Sequence, residues 1–518
     1  MTKEEQIQTF LETGDKLIEQ RRLNEAIAEF WKVLELDNNN ENALQAICMI
    51  FDKTGNPFGC EMAAKRLLKY YPENFFGYFF LSRCYHAMGK QKEAYEAAKK
   101  CYQMQPQNLF SVPSILYTSN TLKLPLDEIF KLHCELAANY EPKPILKKHP
   151  FPKTQKIKVG FISSDFYAHS VAYFLTSLFE NYNKERFEFH LFSNTDKNNF
   201  DQITEKLMQS TDFWHSIEEL SDRDAAQLIL NKQISVLFDL NGYTTAPLRM
   251  AIFGFQPAPV QISWLGYPNT TGMKSMDFRI TDNFADSPDA DKYYTEKLLR
   301  FNTPFICYSA TSEACDIEPK FAEKSEDEPL IFGSFNNTIK ITDETISLWC
   351  AVLKKAPNSQ MFLKQSAFND PKMYNLYLEK FATHKIEKER LIMKGRSMHQ
   401  KEHLLEYLNM DIALDAIPYN GTTTTCEAMF MGVPTIALMG ESHVARVSAA
   451  LNLQAGFAEF VAKTEQEFVE IAVFWAAHKK ELCEYKNSMR AKMLASPLCD
   501  AKNFAKEWER VINSILPA

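Results

Sequence analysis

The chain has 518 residues, 45% hydrophobic and 24% charged, with a formal net charge of -8. That length predicts about three folding units, and the composition is that of a globular chain and excludes a disordered one. The acidic balance gives no electrostatic ground for a nucleic-acid partner, and no apolar run reaches membrane-spanning length.

The start, MTKEEQIQTFLETGDKLIEQ, mixes charges into an amphipathic helix and lacks the basic head and apolar middle of a signal peptide. Eleven cysteines are scattered without a CxxC pair or zinc-type spacing, and read as reduced, mostly buried thiols. The expected compartment is the cytoplasm.

Residues 7 to 108 repeat with a period of 34, the length at which helix-turn-helix tetratricopeptide units stack. Phe10, Gly14, Leu17, Ala26, Phe30 and Asn38 fall where Leu44, Cys48, Phe51, Cys60, Ala64 and Pro72 fall in the next unit. In the third unit they become Tyr78, Ser82, Tyr85, Ala94, Ala98 and Pro106. Small residues at Ala26, Cys60 and Ala94 let paired helices approach, and Pro72 and Pro106 end the second helix of their units. Three repeats meet the minimum for a stable stack, so the array is either a stabilising cap or a surface that recruits a partner protein.

The repeats are assigned to 1–110, and a helical connector and linker to 111–155, with a helix entry at Pro125-Leu126-Asp127-Glu128 and the linker itself over Lys143 to Lys156. From Ile157 the pattern changes to apolar strands alternating with helices. The expected strands are Ile157 to Ser163, Phe187 to Phe192, Val236 to Leu240 and Val260 to Leu265, a doubly wound lobe over 156–308. The acidic, aperiodic stretch from Ser309 to Pro329 reads as an interlobe linker. A second lobe over 330–518 follows, with strands at Leu330 to Phe335, Gln360 to Lys364, Leu391 to Lys394, Ile412 to Asp415 and Thr435 to Met439. Two facing lobes of this kind make a cleft.

The most informative stretch is Asp411 to Glu441, DIALDAIPYNGTTTTCEAMFMGVPTIALMGE, which writes a strand, a Gly/Thr-rich turn and a helix start in succession. Unpaired N–H groups at such a helix start attract anions, so Gly421, Thr422, Thr423 and Thr424 form a candidate phosphate cradle. Taken alone, the same string also fits a tight turn with a threonine cap.

With three further strings the segment carries a resemblance. Residues 157 to 169 read IKVGFISSDFYAH, 239 to 272 read DLNGYTTAPLRMAIFGFQPAPVQISWLGYPNTTG, and 332 to 340 read FGSFNNTIK. Together they resemble the catalytic region of the O-linked N-acetylglucosamine transferase family, protein glycosyltransferases that carry helical repeats ahead of two lobes. The resemblance implies an α plus α/β chain, with tetratricopeptide repeats followed by a GT-B type pair of Rossmann-like lobes. It implies inverting, metal-independent transfer of N-acetylglucosamine from UDP-N-acetylglucosamine to Ser or Thr of a protein, with no cofactor. UDP-glucose acting on asparagine and GDP-fucose acting on Ser/Thr are the alternatives within that class, and a non-catalytic tetratricopeptide adaptor or nucleotide-sugar sensor is the alternative outside it. Bacterial members with few repeats suggest a surface protein such as flagellin or an adhesin as acceptor.

The resemblance also distributes roles. Lys340 is implied to contact the donor phosphates, with Asn337 beside it where glutamine is the better-known residue. His169 is implied to lie at the cleft near the sugar, orienting acceptor or pyrophosphate. His403, on the first turn of an amphipathic helix, is matched to the donor nucleoside, and Glu427 to the ribose hydroxyls. Gln400 stands where animal members have a donor-binding lysine, and Thr422 replaces a family histidine. Asp239, Gly242, Tyr243 and Tyr267 are acceptor-side candidates or simply tight turns. The Asp-x-Asp pairs, Asp222/Asp224 at a helix start and Asp289/Asp291 in a loop, are not on a strand end as a metal site requires, so no metal is expected.

Overall fold

In the computed structural model, residues 1–142, 148–153, 155–244 and 248–517 are described. The linker expected over Lys143 to Lys156 lies partly outside them, as do residues 245–247 of the second quoted string. The chain divides into two compact units, Met1–Leu122 and Lys123–Ala518. No described helix is long and apolar enough to cross a membrane.

The first unit is three antiparallel helix pairs: Lys3–Glu19 with Leu23–Leu36, Glu41–Lys53 with Pro57–Tyr70, and Phe75–Ala87 with Gln91–Met104. Asn40, Asn56 and Asn74 cap their helices by accepting from the third amide on, and Asn40 and Asn74, 34 residues apart, start the first helix of successive repeats. Ala26, Cys60 and Ala94 are fully buried at the close approaches. Gly14 is needed there, because a Cβ at that position would lie 2.6 Å from the Phe30 ring. The helix Val112–Ser119 closes this unit, whereas Leu126–Ala137 belongs to the second.

The second unit holds two parallel sheets. The first contains β1 (Ile157–Ser163), β2 (Phe187–Ser193), β3 (Phe213–Ser216), β4 (Val236–Asp239), β5 (Val260–Ser263), β6 (Phe278–Asp282) and β7 (Lys297–Phe301). Its order is β3-β2-β1-β4-β5-β6-β7. The second contains β8 (Leu330–Ser334), β9 (Ser359–Lys364), β10 (Leu391–Lys394), β11 (Ile412–Leu414), β12 (Thr435–Leu438) and β13 (Val461–Ala462), in the order β10-β9-β8-β11-β12-β13. Both are doubly wound, and chain direction across the sheet reverses between β1 and β4 and between β8 and β11. Ligands of such sheets sit in the crevice beyond the strand ends at that reversal.

Two expectations change. The stretch from Ser309 to Pro329 contains the short helix Ser312–Cys315 and is fastened to the second lobe: the Lys486 ammonium lies 3.9 Å from the Phe321 ring centroid, and Lys479 donates to the carbonyls of Ser325, Glu326 and Glu328. The last helix, Ala501–Ser514, returns to the first lobe, where Trp508 packs against Phe187, Phe189 and Phe238 and Glu507 accepts from the Asn302 amide at 2.7 Å. A buried ion pair also joins the lobes: His443 Nδ1 lies 2.7 Å from Asp286 Oδ2. Burial would raise the Asp286 carboxyl, but His443 outweighs it and holds it well below the usual carboxylate range.

Candidate active site

The strand β11 ends at Leu414, three residues short of the apolar run's end at Ile417, because Asp415 turns inward as a tether for the loop that follows. Its Oδ1 accepts from the Ala416 and Gly421 amides, each at 2.8 Å, and from Asn336 Nδ2 at 3.0 Å. Asn336, just after β8, in turn accepts from Thr424 Oγ1 at 3.1 Å. The Gly/Thr turn is thus stitched to the end of the neighbouring strand at the sheet reversal. Gly421 has no room for a side chain, since a Cβ would lie 2.5 Å from Thr424 Oγ1.

The helix that opens there is Thr423–Phe430, and its leading residue Thr422 makes no side-chain cap. The threonine-capped turn is therefore not what forms, and the first-turn amides keep their outward donor character. Lys340, at the end of the turn Thr338–Lys340 after β8, sends its ammonium to the same loop: Nζ donates to the Asn420 carbonyl at 2.9 Å and stands 4.2 Å from the Tyr419 ring centroid. It is not a solvated surface lysine. Burial pushes its pKa down to about 8, opposed by the charge of Asp415. Burial likewise pushes Asp415 up to about 6, against its amide hydrogen bonds and Lys340. Asn337 is exposed and caps the Lys340 turn by accepting from the Ile339 amide at 3.2 Å.

A second cluster lies beside the first. His403 Nε2 is 3.3 Å from Glu427 Oε2, the oxygen to which the Tyr407 hydroxyl donates at 2.9 Å. The expected amphipathic helix is short, Gln400–Leu405, and tightens into a 3-10 turn at Glu406–Asn409 that carries Tyr407 inward against Phe335. Lys364, at the end of β9, completes the cluster with Nζ 2.8 Å from His403 Nδ1.

On the facing lobe, His169 precedes the helix Ser170–Phe179 and caps it, Nδ1 accepting from the Val171 amide at 3.3 Å. The same nitrogen is 3.6 Å from Asp165 Oδ2, which takes a 2.5 Å hydrogen bond from Asn241 Nδ2. Asp165 is raised by burial, an effect opposed by His169 and Asn241. These residues follow β1 and β4, the reversal point of their own sheet. One turn along the helix, burial and the charge of Glu427 on the other lobe raise the Tyr173 hydroxyl to about 12.

The acceptor-side expectation for Asp239, Tyr243 and Tyr267 gives way to a structural one. All three are buried. Asp239 Oδ1 accepts from the Asn241 and Gly242 amides, Tyr243 donates to the Thr271 carbonyl at 2.6 Å, and the Tyr267 hydroxyl is 2.6 Å from His133 Nε2. Gly242 has φ +54°, and a Cβ there would lie 2.3 Å from Tyr267 Cβ. Both loops are packed on each other, with their polar atoms turned inward.

Of the expected residues, then, Lys340, Gly421, Thr422, Thr423 and Thr424 share one loop cluster, His403 and Glu427 a second, and His169 and Gln400 belong to opposite lobes. Asp415, Asn336, Lys364, Tyr407 and Tyr173 were not anticipated. A strand-end position was the one available signal, for Lys364 and Asp415. Among the described residues no group of three His, Cys, Asp or Glu side chains is arranged to hold a metal ion. Asp222 pairs with Arg249 and Asp291 with Arg300.

The family described as glycosyl transferase family 41 matches residues 123–312 and 317–508. The chain is similar to the probable UDP-N-acetylglucosamine–peptide N-acetylglucosaminyltransferases SPINDLY of Oryza sativa subsp. japonica, 31% identical over 80% of this chain and 45% of that one, and SPINDLY of Arabidopsis thaliana, 33% identical over 67% and 38%. It thus spans less than half the length of these curated relatives. Among solved structures it is similar in fold to a mutant O-GlcNAc transferase of Thermobaculum terrenum, with a TM-score of 0.88 at 23% identity, covering 99% of this chain and 98% of that one.

Proposed function

The chain belongs to glycosyl transferase family 41, and on that premise we propose that it is a protein O-glycosyltransferase that moves N-acetylglucosamine from UDP-N-acetylglucosamine to Ser or Thr hydroxyls of an acceptor protein. The observation that carries the reading is the Lys340 ammonium held against the Asn420 carbonyl beside the uncapped start of the helix Thr423–Phe430. A breaking glycosyl–phosphate bond leaves its electron pair on the diphosphate, and preorganised donors lower the barrier where that charge develops. Lys340 and the Thr423 and Thr424 amides supply them.

In this reading the acceptor hydroxyl oxygen attacks the anomeric carbon on the face opposite the departing UDP, which inverts the centre, and gives up its proton to water or the departing diphosphate. The charge on UDP is met by Lys340 and the helix amides, so the step is metal-independent. His403 and Glu427 hold the nucleoside, with Gln400 at the same end, and Asn337 flanks the phosphates. His169 orients the acceptor hydroxyl from the facing lobe. Residues 330–518 form the donor-binding lobe up to the final helix, and the repeats are the surface that recruits the acceptor. Eleven free thiols support a reducing, cytoplasmic compartment. Nothing in the fold supports flagellin or an adhesin as the acceptor.

The test is Lys340→Ala. Transfer from UDP-N-acetylglucosamine falls below detection while the melting profile persists; near-normal turnover overturns the reading.

A further inference from the structure

We propose that Lys364 is a positioning residue for the nucleotide end of the site, acting through the tautomer of His403. This rests on the reading of His403 and Glu427 as donor-binding residues. Lys364 is 4% exposed, ends β9, and lies with Nζ 2.8 Å from His403 Nδ1 and 5.3 Å from the Phe335 ring centroid.

A lysine ammonium has three donors and no acceptor. The His403 nitrogen that faces it must therefore accept, and a neutral imidazole has one proton left to place. That proton belongs on Nε2, which faces Glu427 Oε2 at 3.3 Å. The Tyr407 hydroxyl donates to the same oxygen at 2.9 Å. Donor direction thus runs from Lys364 through His403 into Glu427, and Tyr407 meets it from the other side.

The ring is also confined sterically. Phe335 lies 5.6 Å from His403 and 4.4 Å from Tyr407, centroid to centroid, and Tyr407 meets His403 edge-on. Confinement alone fixes the plane of the imidazole but does not say which nitrogen carries the proton. Lys364 bars the proton from Nδ1, and Glu427 accepts it from Nε2. Without it, nothing on the Nδ1 side bars a proton, and the Nδ1–H and doubly protonated forms of the ring both become accessible. Burial lowers the Lys364 pKa, while Glu406 and Glu427 support its charge.

A group that orients the nucleoside pocket acts equally on bound donor and transition state, so its loss raises KM and leaves kcat. The experiment compares the full chain with Lys364→Met and Lys364→Arg in two readouts. The first is the 15N spectrum of histidine-labelled protein without donor, His403 identified by its loss in His403→Gln. The second is the KM and kcat for UDP-N-acetylglucosamine.

The expected result is an Nε2–H imidazole in the parent, protonation moved toward Nδ1 in Lys364→Met, and a KM raised about tenfold with kcat within about twofold. Lys364→Arg, which keeps the charge and the donors, recovers most of both. A parent His403 already protonated on Nδ1 overturns the proposal. So does a Lys364→Met variant whose tautomer moves while KM does not, or whose kcat falls with KM unchanged. Failure of the parent to turn over any nucleotide sugar overturns the transferase reading instead, and the spectrum still decides which nitrogen Lys364 leaves unprotonated.

Discussion

The ammonium of Lys340 is 2.9 Å from the carbonyl oxygen of Asn420, although the two residues are 80 positions apart. The contact spans the turn after β8 and the loop after β11, the two strands between which the second sheet reverses. It holds a cation in place before any anion arrives, at the enclosed end of a helix start. On the proposed function, replacing Lys340 with alanine removes a donor aimed at developing charge, and the expected loss in kcat is at least about a hundredfold. Because Lys340 is half-buried with its charge only partly offset, the melting temperature of the variant stays level or rises. A variant that is inactive because it is unfolded would fail this check in a thermal melt.

Asp415 sets the charge of that lysine. Lys340 is pushed down to about 8 by burial and held up by Asp415, so Lys340 is protonated below that pH and loses its proton as pH rises through it. Asp415→Asn keeps an acceptor oxygen for Gly421, Ala416 and Asn336 but removes the negative charge. The Lys340 pKa then falls further. The alkaline limb of kcat/KM, which reports the free enzyme, moves to lower pH. An unmoved limb would show that Asp415 serves the loop geometry alone.

The cradle depends on the absence of one carbon. A Cβ at Gly421 would meet Thr424 Oγ1 at 2.5 Å and Asn336 Oδ1 and Thr425 Oγ1 at 3.0 Å. Gly421→Ala therefore displaces the hydroxyl that joins the loop to β8, and donor binding measured by calorimetry weakens about tenfold or more, with the far-ultraviolet spectrum unchanged.

Tyr267 separates a scaffold role from an acceptor role. Its hydroxyl is buried against His133, whose other nitrogen is 2.7 Å from the Ile129 carbonyl. Tyr267→Phe lowers stability by about 1 kcal/mol and leaves kcat and the acceptor KM within about twofold. A large rise in acceptor KM would return Tyr267 to the acceptor side.

The pair His443 and Asp286 is one of the fastenings between the lobes. Asp286 also takes hydrogen bonds from the Thr281 and Tyr294 hydroxyls, but these do not neutralise it. Removing His443 leaves a buried unpaired carboxylate, which costs roughly 3–5 kcal/mol. His443→Ala should lower the melting temperature by several degrees and broaden the transition as the lobes uncouple, read by calorimetry.

Much of this architecture was legible because local signals were strong. The repeats announce themselves by period, and strands such as Leu330 to Phe335 or Thr435 to Met439 are nearly continuous apolar runs, as buried parallel strands tend to be. The strands that were missed lack that signal. Phe213–Ser216 is a four-residue edge strand of mixed character, Lys297–Phe301 is an edge strand carrying Lys297 and Arg300, Val461–Ala462 has two residues, and Phe278–Asp282 carries Arg279. That arginine is buried, its guanidinium donating to the Asn269 carbonyl at 2.9 Å, a partner ten positions away that no window reveals. The candidate site divides the same way. Glycine and threonines in a turn can be read in order along the chain, whereas Lys364 meets His403, and Asn336 meets Asp415, only after the sheet is assembled.

The most direct test of a metal-independent transferase is a donor screen on the purified chain with EDTA present, scored by melting temperature and by donor hydrolysis over UDP-N-acetylglucosamine, UDP-N-acetylgalactosamine, UDP-glucose and GDP-fucose. A ligand that binds only the folded state raises its melting temperature. We predict a rise and slow release of UDP with UDP-N-acetylglucosamine, both lost in Lys340→Ala. A response confined to another donor, a requirement for divalent metal, or no response to any donor would contradict the account.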